Sequence, residues 1–177
     1  MKYPLAYHIT FTTYGTWLHG DKRGSVDESH NQYGSNFVSL NSGLYKKEQT
    51  RLKNPPVILD KNVRDVVLKS LLQVCCYRYW IAHAIHVRSN HIHIVVSGNE
   101  KPEKMMTDFK AYATRAIKNI SNNQAIFRKY WPRHGSTKYI WTKENLVSTI
   151  DYVKNRQGKT MSLWCRDLNR APSVSAG

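Results

Sequence analysis

The run His91-Ile92-His93-Ile94-Val95-Val96 alternates in a way that an extended strand can use and a helix cannot. On a strand, Ile92, Ile94 and Val96 share one face while His91 and His93 share the other, about 7 Å apart along the chain. Trp80 to Val87 reads as a second strand, and Arg88-Ser89-Asn90 supplies the turn between them. An antiparallel pair follows, and its isoleucine face needs an apolar layer to cover it. The histidine face has two readings: a solvated surface with two ordinary titrating side chains, or two imidazoles held toward one metal ion on a rigid support.

A chain of 177 residues with 41% hydrophobic content suffices for one domain with a sizeable core, and not comfortably for two. Its 27 Lys and Arg against 12 Asp and Glu leave a formal charge of +15, spread along the chain rather than gathered in a tail. That surplus points to a polyanionic partner, nucleic acid first. No amphipathic basic segment, lipidation signal or apolar run of membrane-spanning length supports a membrane role. Met1-Lys2-Tyr3-Pro4-Leu5 lacks the layout of a signal peptide, so a cytoplasmic location is expected. Three cysteines, two adjacent as Cys75-Cys76, make neither a disulfide framework nor a zinc motif; that pair is expected to be reduced and in a helix core.

Leu5 to Thr13 reads as a first strand ending at the turn-prone Tyr14-Gly15-Thr16. Residues 17–56, rich in Gly, Ser, Asn and charge, look like a long N-terminal insertion or arm. Within it Gly20-Asp21-Lys22-Arg23-Gly24-Ser25 offers backbone amides and two cations to phosphate, or is an ordinary exposed turn. Val63, Val66, Val67, Leu71, Val74 and Cys75 recur at helical spacing between Asp60 and Tyr79. Lys101-Pro102-Glu103 opens another helix, with Met105, Met106, Phe109, Ala113 and Ile117 on its apolar side. Its Lys104, Lys110, Arg115 and Lys118 form a solvated face or a track for a phosphate backbone. Trp131 to Ser136 is irregular and leads into an edge strand, Thr137 to Trp141. Thr142 caps a last helix running to about Gln157, Gly158 suits its end, and 159–177 read as a tail. The order predicts an α+β fold, an antiparallel sheet with helices packed on one face.

The last helix carries Tyr152-Val153-Lys154-Asn155-Arg156-Gln157. A helical tyrosine is ordinarily a packing residue; beside a histidine pair in a basic chain it acquires a second meaning. A tyrosinate that attacks a phosphodiester forms a phosphotyrosine, which conserves bond energy for rejoining. A divalent cation held by two imidazoles and one oxygen ligand would polarise that phosphate and stabilise the departing 3′ oxygen.

Asn90-His91-Ile92-His93-Ile94-Val95-Val96 and Tyr152 to Gln157 together resemble the single-tyrosine HUH transposases of small bacterial insertion sequences, and especially their REP-associated tyrosine transposase relatives. Phe11-Thr12-Thr13-Tyr14-Gly15-Thr16-Trp17-Leu18, Gly20-Asp21, Arg23-Gly24 and Arg133-His134-Gly135-Ser136-Thr137 extend the resemblance over most of positions 5 to 158. It implies a single ferredoxin-like domain over 1–158 that cleaves single-stranded DNA beside hairpins, leaving a 5′-phosphotyrosine and a free 3′-OH. It also implies a homodimer, a monomer being the other reading. Carried over, Tyr152 is the nucleophile, and His91 and His93 ligate Mg²⁺ or Mn²⁺. Gln157 is the candidate third ligand, although in many relatives that ligand falls four residues after the tyrosine, here Arg156. On an ideal helix Gln157 is rotated roughly 140° from Tyr152 while Asn155 is nearer its face, so both stay open.

Lys110, Arg115, Arg133, His134 and Arg23 are the candidate DNA contacts. Tyr14, Tyr112, Tyr130 and Tyr139 are structural or base-stacking, and His8, His83 and His86 have core or surface roles. The alternative from another class is a non-catalytic nucleic-acid-binding α+β module. No RNP-type aromatic pattern on the strands favours it.

Overall fold

The computed structural model describes residues 3–18, 42–121 and 129–167. Its elements are β1 (Ala6–Thr12), α1 (Ser42–Thr50), α2 (Lys61–Tyr77), β2 (Ile81–Val87), β3 (His91–Ser97), α3 (Pro102–Ile120), β4 (Ser136–Ile140), α4 (Lys143–Asn155) and β5 (Ser162–Cys165). The five strands form one antiparallel sheet in the order β4-β1-β3-β2-β5. Without α1, α4 and β5 this is a βαββαβ chain with the strand order of a ferredoxin-like fold.

The isoleucine face forms the main core. Tyr7, Ile9 and Phe11 of β1, Ile85 and Val87 of β2, and Ile92, Ile94 and Val96 of β3 pack beneath Val67, Leu71 and Val74 of α2 and Met105, Met106, Phe109 and Ala113 of α3. A one-residue slip of β3 would carry three fully buried side chains to the other face, at about 1.5–3 kcal/mol each. That cost locks His91 and His93 onto their own face. The register of β2 against β3 shifts between Ala82 and Ala84, and this bulge sends Ala82 to the main core and Ala84 to the histidine face.

Caps set the helix ends. Asp60 accepts the Val63 amide (2.9 Å) at the start of α2, and Thr142 accepts that of Asn145 (3.2 Å) at the start of α4. α2 stops at a left-handed turn, Tyr79 having φ 57°, with the Trp80 amide bonded to Cys75 O (2.8 Å). Trp80 is thereby turned into the core against the Phe109 ring, 5.4 Å between centroids.

Several expectations are revised. α2 and α3 share one face, but α4 lies on the other, where Ile150 and Val153 meet Ala6, Ala84, Val95 and Ile140. Residues 17–56 include a helix, α1, and residues 162–165 of the expected tail form an edge strand beside β2. Cys75 is buried and Cys76 exposed, since adjacent helical positions point about 100° apart and only one can face the core. Among the described residues no helix is long and apolar enough to cross a membrane.

Candidate functional site

Because α4 lies across the histidine face, that face is covered where a solvated one was a possible reading. His93 is only 6% exposed, and His8 of β1 is 8% exposed. His93 Nδ1 lies 3.1 Å from His8 Nε2 and 3.1 Å from Thr10 Oγ1, which is itself 3.3 Å from His8 Nε2. Burial, with the neighbouring His91 and His8, pushes His93 down to about 3; burial and Lys138 push His8 down to about 4. Both rings are therefore neutral at pH 7, the state in which an imidazole binds a metal.

His91 stands at the rim, its ring 5.0 Å from that of His93 and perpendicular to it. Its Nδ1 donates to Asn90 Oδ1 (2.7 Å), which fixes the tautomer with the lone pair on Nε2. Asn90 is held in turn. Its carbonyl accepts from the Thr13 amide (2.8 Å), the Thr13 hydroxyl (3.2 Å) and the Thr16 hydroxyl (3.2 Å). The segment after β1 thus braces the residue that orients His91. Gly15 makes that turn possible with φ +72°; a Cβ there would also press Pro56 at 3.1 Å.

Tyr152 reaches the same place from α4. It is 41% exposed, and its ring lies 5.9 Å from that of His93 and 6.0 Å from that of His8, edge-on to both. α4 ends at Asn155, two residues earlier than expected, so the ideal-helix rotation does not govern Gln157. The Gln157 amide nitrogen donates to Tyr152 O (3.2 Å), and its side chain is close enough to His93 to oppose the lowering of that ring's pKa. Asn155 is instead turned to Asp151 (2.8 Å), which also pairs with Arg156 (3.0 Å). Tyr152, His91, His93 and Gln157 therefore converge, and Asn155 stands apart. Among the described residues no group of three or more His, Cys, Asp or Glu is arranged to hold a metal.

His86 secures this end of α4. It is fully buried; its Nδ1 donates to Val153 O (2.9 Å), and its Nε2 accepts from the Met161 amide (3.2 Å). Those bonds bracket the segment that contains Gln157. In His86→Leu both backbone groups lose their partner, at about 1–3 kcal/mol each. Urea unfolding should report a loss of about 2–4 kcal/mol, and a change under 0.5 kcal/mol would refute the clamp.

The expected DNA contacts divide. Arg133 and His134 are exposed in the loop before β4, whose next residue, Gly135, lies so close to β1 that a Cβ would meet Thr10 O at 2.6 Å and Met106 Sδ at 2.7 Å. Lys110 and Arg115 belong to α3, on the face away from the histidines. The Arg115 guanidinium sits over the Tyr112 ring (4.3 Å). The Lys110 ammonium bonds the carbonyls of Pro132 (3.0 Å), Arg133 (3.2 Å) and His134 (3.1 Å), so it holds the loop rather than facing solvent. Lys110→Met should cost about 1–3 kcal/mol and open the loop to protease; unchanged cleavage at 131–136 would refute that role. Arg23 lies outside the described residues. Sequence reading missed His8, Thr10, Asn90 and His86 as parts of the site. His8 and Thr10 already stood two apart on a strand, and only the pairing of β1 with β3 was needed to set them beside His93.

A family model described as IS200-like transposase matches residues 50–159, more than half of the chain. The chain belongs to that family, whose members are enzymes of DNA transposition. Its structure is similar to that of a REP-associated tyrosine transposase bound to a REP hairpin, with TM-score 0.46 and 12% identity, covering 86% of this chain and 66% of that one. It is also similar to a protein from Deinococcus radiodurans R1 described as a candidate transposase, with TM-score 0.48 and 12% identity, covering 88% and 93%. No curated protein sequence matches.

Proposed function

We propose that this transposase is a metal-dependent single-stranded DNA endonuclease and strand transferase, acting at hairpin or repeat ends through a 5′-phosphotyrosine. The observation that carries this reading is the meeting of Tyr152 with the histidine pair: the Tyr152 and His93 rings stand 5.9 Å apart although 59 residues separate them in the chain (152 − 93). Family membership and the motif resemblance support it; the net charge of +15 suits the substrate.

Tyr152 gives up its phenolic proton and its oxygen attacks phosphorus; the P–O3′ bond breaks, the 3′ oxygen leaves and becomes a hydroxyl, and the 5′ side stays on the tyrosine. Reversal with another 3′-OH joins strands without an external energy source. His91, His93 and the Gln157 amide oxygen would hold Mg²⁺ or Mn²⁺. The buried His93 imidazole, the His91 imidazole oriented by Asn90 and an amide oxygen together suit such a cation. The cation would supply Lewis acidity at the phosphate and stabilise the leaving oxygen. Thr10, His8 and Asn90 keep the rings in place, and α4 holds the tyrosine over them.

The test is incubation of the protein with 3′-labelled, hairpin-bearing single strands and Mn²⁺, followed by denaturing electrophoresis. A labelled protein adduct is expected, absent when EDTA is added. Binding without any adduct would favour the non-catalytic module instead.

A further inference from the structure

α4 crosses the histidine face obliquely. Its Leu146, Ile150 and Val153 pack with Ala6, Ala84, Val95 and Ile140, and its last turn rests on β2 at His86. Beside the buried His93, the half-buried His91 and Thr10 and the exposed Ser136 and Lys138 lie on the same face, running out to the edge strand β4. His93, Thr10 and Ser136 form one row across three strands; Val95, His8 and Lys138 form the next. β4 therefore lies roughly 10 Å from β3.

Lys138 stands directly opposite His8 and on the same face, and His8 touches Tyr152. It is exposed, and among the described residues its ammonium takes part in no hydrogen bond or ion pair. The carboxylates nearby are committed elsewhere: Asp151 to Asn155 and Arg156, and Glu103 to Thr137 on the opposite face. An exposed lysine with no ionic partner among the described residues, directly across from the histidine that meets the Tyr152 ring, is placed for an anion that arrives with the substrate.

We propose that Lys138 binds a non-bridging oxygen of the phosphodiester that Tyr152 attacks, and that the single strand runs over this face from His91 toward β4. The proposal rests on the reading of Tyr152 as nucleophile. As the tyrosine oxygen adds to phosphorus and the P–O3′ bond breaks, charge shifts among the phosphate oxygens. A cation fixed beside them stabilises that arrangement more than the ground state.

Lys138→Met, Lys138→Arg and, as a control, Lys143→Met test this; Lys143 lies nine residues before Tyr152 on α4, about 13 Å along its axis. Single-turnover adduct formation is measured at saturating hairpin DNA with Mn²⁺, with thermal unfolding and DNA affinity alongside. Lys138→Met should slow the step by about 10–100-fold while affinity falls less than about 5-fold. Lys138→Arg should recover most of the rate, and Lys143→Met should keep it. An unchanged rate in Lys138→Met, or a loss that arginine does not restore, overturns the proposal and leaves Tyr152 as nucleophile. Absence of an adduct with the unmodified protein removes the nucleophile, and Lys138's role with it.

Discussion

Tyr152→Phe should fold, bind hairpin-bearing single strands as the unmodified protein does, and form no covalent adduct. The substitution removes one oxygen from a ring that is 41% exposed, and among the described residues that hydroxyl has no hydrogen-bond partner. Stability should therefore change by less than about 0.5 kcal/mol. Adduct formation should fall by a factor on the order of 10⁵–10⁶, as for nucleophile removal elsewhere. Persistence of the adduct in this variant would move the nucleophile to another residue and sink the proposed chemistry.

The second large effect is expected from His91→Ala. His91 sits at the rim, whereas His93 is packed between His8, Thr10 and Tyr152, so truncating His93 also opens a cavity beside two polar partners. His91→Ala is thus the cleaner substitution. It should abolish Mn²⁺ binding followed by electron paramagnetic resonance, and strand cleavage with it. DNA affinity and its salt dependence should stay within about 3-fold, because Lys and Arg supply that binding. Parallel loss of DNA affinity, cleavage and thermal stability would assign the histidine strand a structural role.

Much of the fold was legible because the residues that specify it act locally. The alternation in β3, the Asn90 turn, Pro102 at the start of α3 and the Thr142 cap each dictate their own element. The side of the sheet taken by α4 was not legible. It depends on small residues, Ala6, Ala84 and Val95, leaving room on the histidine face, and Ala84 reaches that face only through the bulge in β2. The four-residue β5 depends on pairing with β2, and nothing in Ser162-Leu163-Trp164-Cys165 distinguishes a strand from a tail.

For the candidate site, Tyr152 and the histidine pair stood out by residue type and spacing. Which of Gln157 and Asn155 lies beside Tyr152 and His93 depends on where α4 stops, and His86 helps to fix that end through Val153, 67 residues away. The surroundings of His93 arise from β1 lying beside β3, a pairing with no local signature. Lys110 misled for a related reason: on a helical wheel it looks solvent-facing, yet three carbonyls from another segment close over its ammonium.

Gly135 has a consequence for how such a chain can diversify. Arg133 and His134 precede it in the loop and are exposed, so their side chains can be exchanged without disturbing any packed neighbour. A methyl group at position 135 would instead collide with the backbone of the strand that carries Thr10 and His8. The two exposed side chains of this loop are thus free to vary, while the glycine that docks the loop on β1 remains the one letter of that triplet with no room to drift.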